Sequence, residues 1–131
     1  MTESRDTSTT TDRAPVPVGA YPHARRVGNL LFLSGIGPRR PGTDAIPETF
    51  DDQVRSVFDN IRVILEEAGS SWERIVDVTV FLTDIPRNFA AFNRLYAEAF
   101  VVDRPTRTTV EVSRLPTPID VELKIIATVG D

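Results

Sequence analysis

Residues 105–116 read PTRTTVEVSRLP, and residues 119–127 read IDVELKIIA. In the first run Arg107, Thr109 and Glu111 alternate with Thr108, Val110 and Val112; in the second Val121, Leu123 and Ile125 alternate with Asp120, Glu122 and Lys124. Period-two alternation of this kind is the mark of strands with one buried face, and Pro105 and Pro116 bracket the first of them. The spacing predicts that the two pair antiparallel across a loop near Arg114 and Leu115. That register sets Arg107 opposite Glu122 and puts Val110 and Val112 on the same side as Val121 and Leu123, as a sheet covered on one face requires. Two readings of the Arg107–Glu122 pair stand open. Spacing alone favours a cross-strand ion pair worth about 0.2–1 kcal/mol; the other reading is a carboxylate-binding arginine beside a general acid/base.

Working outward, residues 49–68 repeat Val54, Val57, Phe58, Ile61, Ile64, Leu65 and Ala68 at three- and four-residue steps, an amphipathic helix with Thr49 and Asp52 suited to its N-terminus and Gly69 to its stop. Residues 74–83 form a strand on Val76, Val78, Val80 and Leu82, with Phe81 adding burial on the second face. Asp84 and Pro86 open a second helix carrying Phe89, Phe92, Tyr96, Ala99 and Phe100. Residues 25–34 read as a hairpin turning at Gly28-Asn29. The Gly- and Pro-punctuated run from Gly35 to Gly42 is loop, its glycines permitting close approach of backbone to a ligand. The order β-β-α-β-α-β-β predicts an α+β domain with two helices on one face of the sheet. The opposite face mixes Asp77, Thr79, Phe81, Arg107 and Glu122, which we expect to pack against other subunits. Residues 1–14, rich in Ser and Thr, are expected to be a disordered tail, leaving 15–131 as the domain.

The totals exclude more than they specify. A chain of 131 residues with 40% hydrophobic and 26% charged residues is one ordinary domain. Its net charge of −4 argues against broad attraction to nucleic acid or to an anionic membrane. With no cysteine and His23 as the sole histidine, thiolate metal sites, cysteine nucleophiles and a Ser-His-Asp triad lose their components, and no metal or cofactor is expected. No run is apolar enough to span a membrane and the N-terminus lacks the regions of a signal peptide, so a cytoplasmic protein is expected.

What remains is acid/base chemistry. Arg107 can hold a carboxylate through two parallel hydrogen bonds, and Glu122 can orient water if burial tunes it. Such a set suits hydrolysis of an activated bond such as an imine. Lys124, the only lysine beside fourteen arginines, lies on the Glu122 face and offers an anion site, its ordinary alternative being a solvated or ion-paired cation. Arg39 and Arg40 offer a cationic wall near Gly35, or simply a solvated loop. Tyr21 either covers a ligand or packs on the sheet edge, and Asn93 is either a boundary residue of its helix or an amide aimed into a cleft. His23 reads as structural.

Several motifs assembled here resemble the RidA/YjgF family of enamine and imine deaminases: Val27 to Gly35 (VGNLLFLSG), Val76 to Leu82 (VDVTVFL), Asn93 to Tyr96 (NRLY), and Arg104-Pro105-Thr106-Arg107 through Leu115-Pro116 to Val121-Glu122. The resemblance covers nearly all the chain after the tail. It implies a chorismate-mutase-like α+β subunit, a homotrimer with pockets at subunit interfaces, and an enamine or imine carboxylate as the small-molecule partner. By the same resemblance Arg107 is the substrate-carboxylate arginine, Glu122 the water-orienting acid, Tyr21 the pocket tyrosine and Asn93 the helix asparagine. Thr109 stands where many relatives carry a reactive cysteine and leaves a hydroxyl to assist the water; Lys124 stands where a second glutamate is common. The Tyr-Pro-His run, the Arg-Arg-Pro loop, the Pro-Thr-Arg-Thr-Thr-Val strand and the lysine after the acid are similar to the 2-aminomuconate deaminases. That similarity implies a dicarboxylate substrate with Arg39, Arg40 or Lys124 as a second anchor. A deaminase of 2-imino monocarboxylates and a non-catalytic metabolite-binding trimer are the alternatives. Ribonuclease activity, ascribed to some members, finds little support in an acidic chain with one histidine.

Overall fold

The structure is a computed structural model describing residues 6–131. Six strands form one mixed sheet: β1 (Thr7–Thr9), β2 (Ala24–Val27), β3 (Leu30–Leu33), β4 (Ile75–Leu82), β5 (Thr106–Glu111) and β6 (Val121–Thr128), with helices α1 (Phe50–Glu67) and α2 (Ile85–Ala99) between them. The two helices cover one face, as the apolar periodicity of residues 49–68 and 84–100 predicts. Thr49 caps α1 by accepting a hydrogen bond from the Asp52 amide, and Asp84 caps α2 by accepting from that of Arg87. Val54, Val57, Ile61, Ile64 and Leu65 of α1 are buried against Val78, Val80, Leu82, Val121, Leu123 and Ile125 of the sheet. Each large aliphatic side chain so buried contributes about 1.5–3 kcal/mol.

The strand order is β1-β2-β3-β6-β4-β5. Pairing of β5 with β6, expected from their alternation, does not occur: β4 lies between them, parallel to β5 and antiparallel to β6. The physical reason lies in the connections. β4 and β5 are joined through α2, the crossover that a parallel pair needs, while residues 112–120 between β5 and β6 form a nine-residue link holding Pro116 and Pro118, far longer than a tight hairpin turn. β4, the more apolar strand, takes the buried position, and β5 with its Arg and Thr residues is left at the edge.

The register reassigns faces. Arg107 pairs with Val78 and Thr109 with Val80, so both lie on the helix-covered face; Val110 pairs with Phe81, which also pairs with Glu122. Arg107 and Glu122 are therefore on opposite faces, and Val110 lies opposite to Val121 and Leu123 rather than beside them. The face without helices carries Phe32, Phe81, Val110 and Ile126 among Thr79, Thr108, Glu122 and Lys124, and Val110 is 38% exposed there.

The expected tail is also revised. Residues 1–5 lie outside the described residues, but Thr7–Thr9 pair with Ala24–Arg26 as an edge strand, and Ala14 is buried. His23 holds this segment down: its Nδ1 accepts from the Thr11 amide at 3.1 Å and its Nε2 donates to the Pro15 carbonyl at 2.6 Å. A polar, Thr-rich run can join a sheet edge through its backbone, which composition does not reveal.

Candidate active site

The predicted site residues fall into two groups. The first is built on the edge of β5 and the facing side of α2. Residues 107 and 109 share a strand face by the two-residue period, and the Arg107 Nε donates to the Thr109 hydroxyl at 2.8 Å. Its Nη2 donates to the Asn93 Oδ1 at 2.7 Å. Phe89, Phe92, Asn93 and Tyr96 follow one another at helical spacing and so form one stripe; the guanidinium carbon stands 5.8 Å from the Phe89 ring centre, 4.9 Å from Phe92 and 4.6 Å from Tyr96. Burial lowers the Arg107 pKa, while the adjacent Tyr96 acts to raise it; a guanidinium nonetheless stays charged. Five N–H groups less the two already donated leave three for a ligand. Asn93 is thus an amide that orients the arginine, and Thr109 accepts from Arg107 while its own O–H is left to donate.

The second group surrounds Glu122. After β3 ends at Leu33 the chain returns to β6 at Ile36, whose amide donates to the Leu123 carbonyl at 2.8 Å and whose carbonyl accepts from the Leu123 amide at 3.0 Å. This pair presses Gly35 against Glu122. A Cβ at position 35 would lie 2.7 Å from the Glu122 Oε2, so the glycine is a steric requirement of the carboxylate. A cleft of about 520 Å³, part of it open to solvent, lies here between Pro17, Val18, Tyr21, Ser34, Gly35, Arg39 and Glu122. The Tyr21 hydroxyl accepts from the Val18 amide at 3.2 Å, shaping the wall, and Ser34 donates to the Pro22 carbonyl at 2.7 Å. Burial raises the Glu122 pKa above the usual carboxylate value, and the carboxylate has no hydrogen-bond partner among the described residues. A base of this kind, brought nearer neutrality by desolvation, is suited to taking a proton from water.

The proposed extra cations are differently placed. Lys124 follows Glu122 on the same face, but its Nζ donates to the Leu33 carbonyl and burial lowers its pKa. Arg39 lines the Glu122 cleft, its Nη1 held 3.2 Å from Asp44 and its Nη2 donating to the Val16 carbonyl at 2.5 Å. Arg40 is exposed and does not line that cleft. Among the described residues no three His, Cys, Asp or Glu side chains come together as a metal ion would need.

Apolar spacing assigns Phe89, Phe92 and Tyr96 to the core alone, whereas the structure also sets them under Arg107. Their spacing around Asn93, facing a strand that carries an arginine, was the available signal.

Within one chain the two groups cannot meet on one substrate. Arg107 is in register with Val78, and Glu122 with Phe81, two strands apart and three residues along the sheet. At about 4.8 Å per strand and 3.3 Å per residue their Cα atoms are roughly 14 Å apart, with the side chains on opposite faces. A carboxylate and the carbon beside it need both groups within about 7 Å, two hydrogen-bond contacts plus a bond length.

The model of the family described as Endoribonuclease L-PSP matches residues 11–129. A RutC family protein of Aquifex aeolicus is 44% identical over 119 residues, covering 89% of this chain and 94% of that protein. Protein HMF1 of Saccharomyces cerevisiae is 39% identical over 120 residues, covering 92% of each. Among solved structures, RidA from the Antarctic bacterium Psychrobacter sp. PAMC 21119 superposes with a TM-score of 0.90 at 36% identity, covering 94% of this chain and 99% of that one.

Proposed function

Because the chain belongs to the Endoribonuclease L-PSP family, the RidA/YjgF family, we propose that it hydrolyses enamine and imine carboxylates to carbonyl compounds and ammonia, as a homotrimer whose site joins Arg107 of one subunit to Glu122 of the next. The observation that carries this reading is the division of the site: an arginine prepared on one face, with three free donors, and a desolvated carboxylate in a cleft on the other. The uncovered sheet face supports the assembly, since exposed apolar groups such as Val110 gain by packing against a neighbour.

In this mechanism Arg107 takes the substrate carboxylate in a bidentate grip. The enamine tautomerises to the imine, and ionised Glu122 removes a proton from a water that attacks the imine carbon. Glu122 hands that proton to the imine nitrogen, giving the neutral carbinolamine, and then relays the carbinolamine hydroxyl proton to the same nitrogen as the C–N bond breaks and the C=O bond forms, so one water is consumed for one ammonia released. Thr109 donates its O–H to the water or to the carboxylate. Positioning does most of the work, because an imine carbon is already electrophilic.

The finer reading is a dicarboxylate such as 2-aminomuconate. Arg39 supports it, being a cation in the Glu122 cleft whose partner Asp44 is 95% exposed and so weakly holding. The monocarboxylate reading, on 2-imino acids, is favoured by Lys124, which is already committed to the Leu33 carbonyl. Ammonia release is measured with freshly generated 2-aminomuconate and with 2-iminobutyrate. Turnover of both confirms the deaminase, and preference for the first that disappears in Arg39→Gln confirms the second anchor. Failure on both substrates, or activity surviving in Arg107→Ala, overturns the proposal.

A further inference from the structure

Tyr96 is buried, at 7% exposure, and its hydroxyl is shielded from solvent with no hydrogen-bond partner among the described residues. A phenylalanine would make every ring contact that Tyr96 makes, including those with Phe100 at 4.3 Å and Phe92 at 5.7 Å between ring centres. The Arg107 guanidinium carbon lies 4.6 Å over the ring, the shortest of its three aromatic contacts. Thr109 and Asn93 fix this guanidinium only along its edges, at Nε and Nη2. Two edge bonds leave the group free to tilt about the line that joins them; a ring face removes that freedom.

We propose that Tyr96 is a positioning residue for the carboxylate clamp, its ring face setting the plane in which Arg107 presents its remaining donors. This rests on the reading of Arg107 as the carboxylate group, and it assigns the work to the ring rather than to the hydroxyl. A cation held over an aromatic face is attracted more strongly in a desolvated site than at the surface, and a planar fork gains its specificity only if its plane is held.

The test measures binding of 2-oxobutyrate, a stable carbonyl product of the proposed reaction, to the assembled protein by calorimetry, alongside KM and kcat for 2-iminobutyrate. Tyr96→Phe keeps the ring and is expected to bind within about twofold of the unsubstituted chain, whereas Tyr96→Leu weakens binding and raises KM about tenfold with kcat nearly held. A merely structural role would lower both variants' melting temperatures without this split. Equal loss in Tyr96→Phe and Tyr96→Leu assigns the effect to the hydroxyl and overturns the proposal; so does unaltered binding in Tyr96→Leu. Should the leucine variant not assemble, the Arg107 Nη protons of the unsubstituted chain decide by NMR, an upfield ring-current displacement retained in Tyr96→Phe being expected and ordinary guanidinium positions overturning it. Binding without ammonia release removes only the deaminase reading. No binding of 2-oxobutyrate removes the clamp and this inference with it.

Discussion

At the scale of single residues the contact between Gly35 and Glu122 makes the sharpest demand. A methyl group at position 35 would fall 2.7 Å from Oε2 and 2.9 Å from Cδ, so Gly35→Ala must push the carboxylate out of its place. We expect kcat for imine hydrolysis to fall by about a hundredfold, the scale at which a misplaced general base is felt, with a melting temperature changed little because the displaced group is a side chain beside an open cleft. Retained kcat would show that Glu122 does not act where it stands. The same carboxylate gives a pH prediction. Burial raises its folded pKa above the unfolded value of 4.5, so the folded state favours the protonated form. The stability tied to that proton is fully present below about pH 4.5 and is lost as pH rises through the folded value. Glu122→Gln should therefore melt higher than the unsubstituted chain at pH 8, the gap closing towards pH 4, while its activity is lost. Equal melting temperatures across this range would refute the desolvation. Type and motif make Arg107, Glu122, Gly35, Tyr21 and Asn93 legible as candidates; they do not disclose that Thr109 and Asn93 both accept hydrogen bonds from Arg107. Those bonds depend on where β5 sits against α2.

At the scale of elements, what could be read were those whose pattern is local. α1, α2, the β2–β3 hairpin and β4 lie where apolar period and caps put them, with Gly28 at φ +62° making the turn. Strand neighbourhood is not local. The alternation of residues 106–111 and 121–128 is compatible with pairing each other or with pairing a third strand, and only the length of the 112–120 link and the α2 crossover decide for β4. The N-terminal segment was missed for a related reason. Its order comes from His23, the Thr11 amide and the Pro15 carbonyl, and from Thr11 and Arg13 meeting Glu67, none of which composition reports. This strap bears on the site, because Pro17 and Val18 wall the Glu122 cleft and the Val16 carbonyl holds Arg39. His23→Ala removes both ring contacts and should cost about 2 kcal/mol. Hydrogen exchange should accelerate first at residues 11–18, with KM rising for any substrate that uses the cleft. Unchanged exchange there would mean that the β1–β2 pairing alone holds the strap.

In the whole molecule the two faces of one sheet carry the two halves of the candidate site. A ring of three subunits uses a heterologous interface, in which one surface of each copy meets a different surface of the next. In the proposed trimer the edge of β5 with Arg107 and the Glu122 cleft on the far face would be such a pair, since the two lie on opposite faces within one chain. Each ring would then hold three sites, every one taking its arginine from one copy and its carboxylate from another. This predicts complementation between two dead proteins. Arg107→Ala and Glu122→Gln homotrimers should each be inactive for different reasons, the first lacking the clamp and the second the base. Unfolded together in equal amounts and refolded, their subunits assort at random. A site is whole only when the arginine-giving position holds the Glu122→Gln chain and the carboxylate-giving position holds the Arg107→Ala chain. Each condition is met half the time, so about a quarter of the unsubstituted activity should return, in particles of trimer mass. A site contained within one chain would restore nothing, because every chain in the mixture carries one of the two lesions. Ammonia release by the mixture, measured against each parent refolded alone, separates the two architectures.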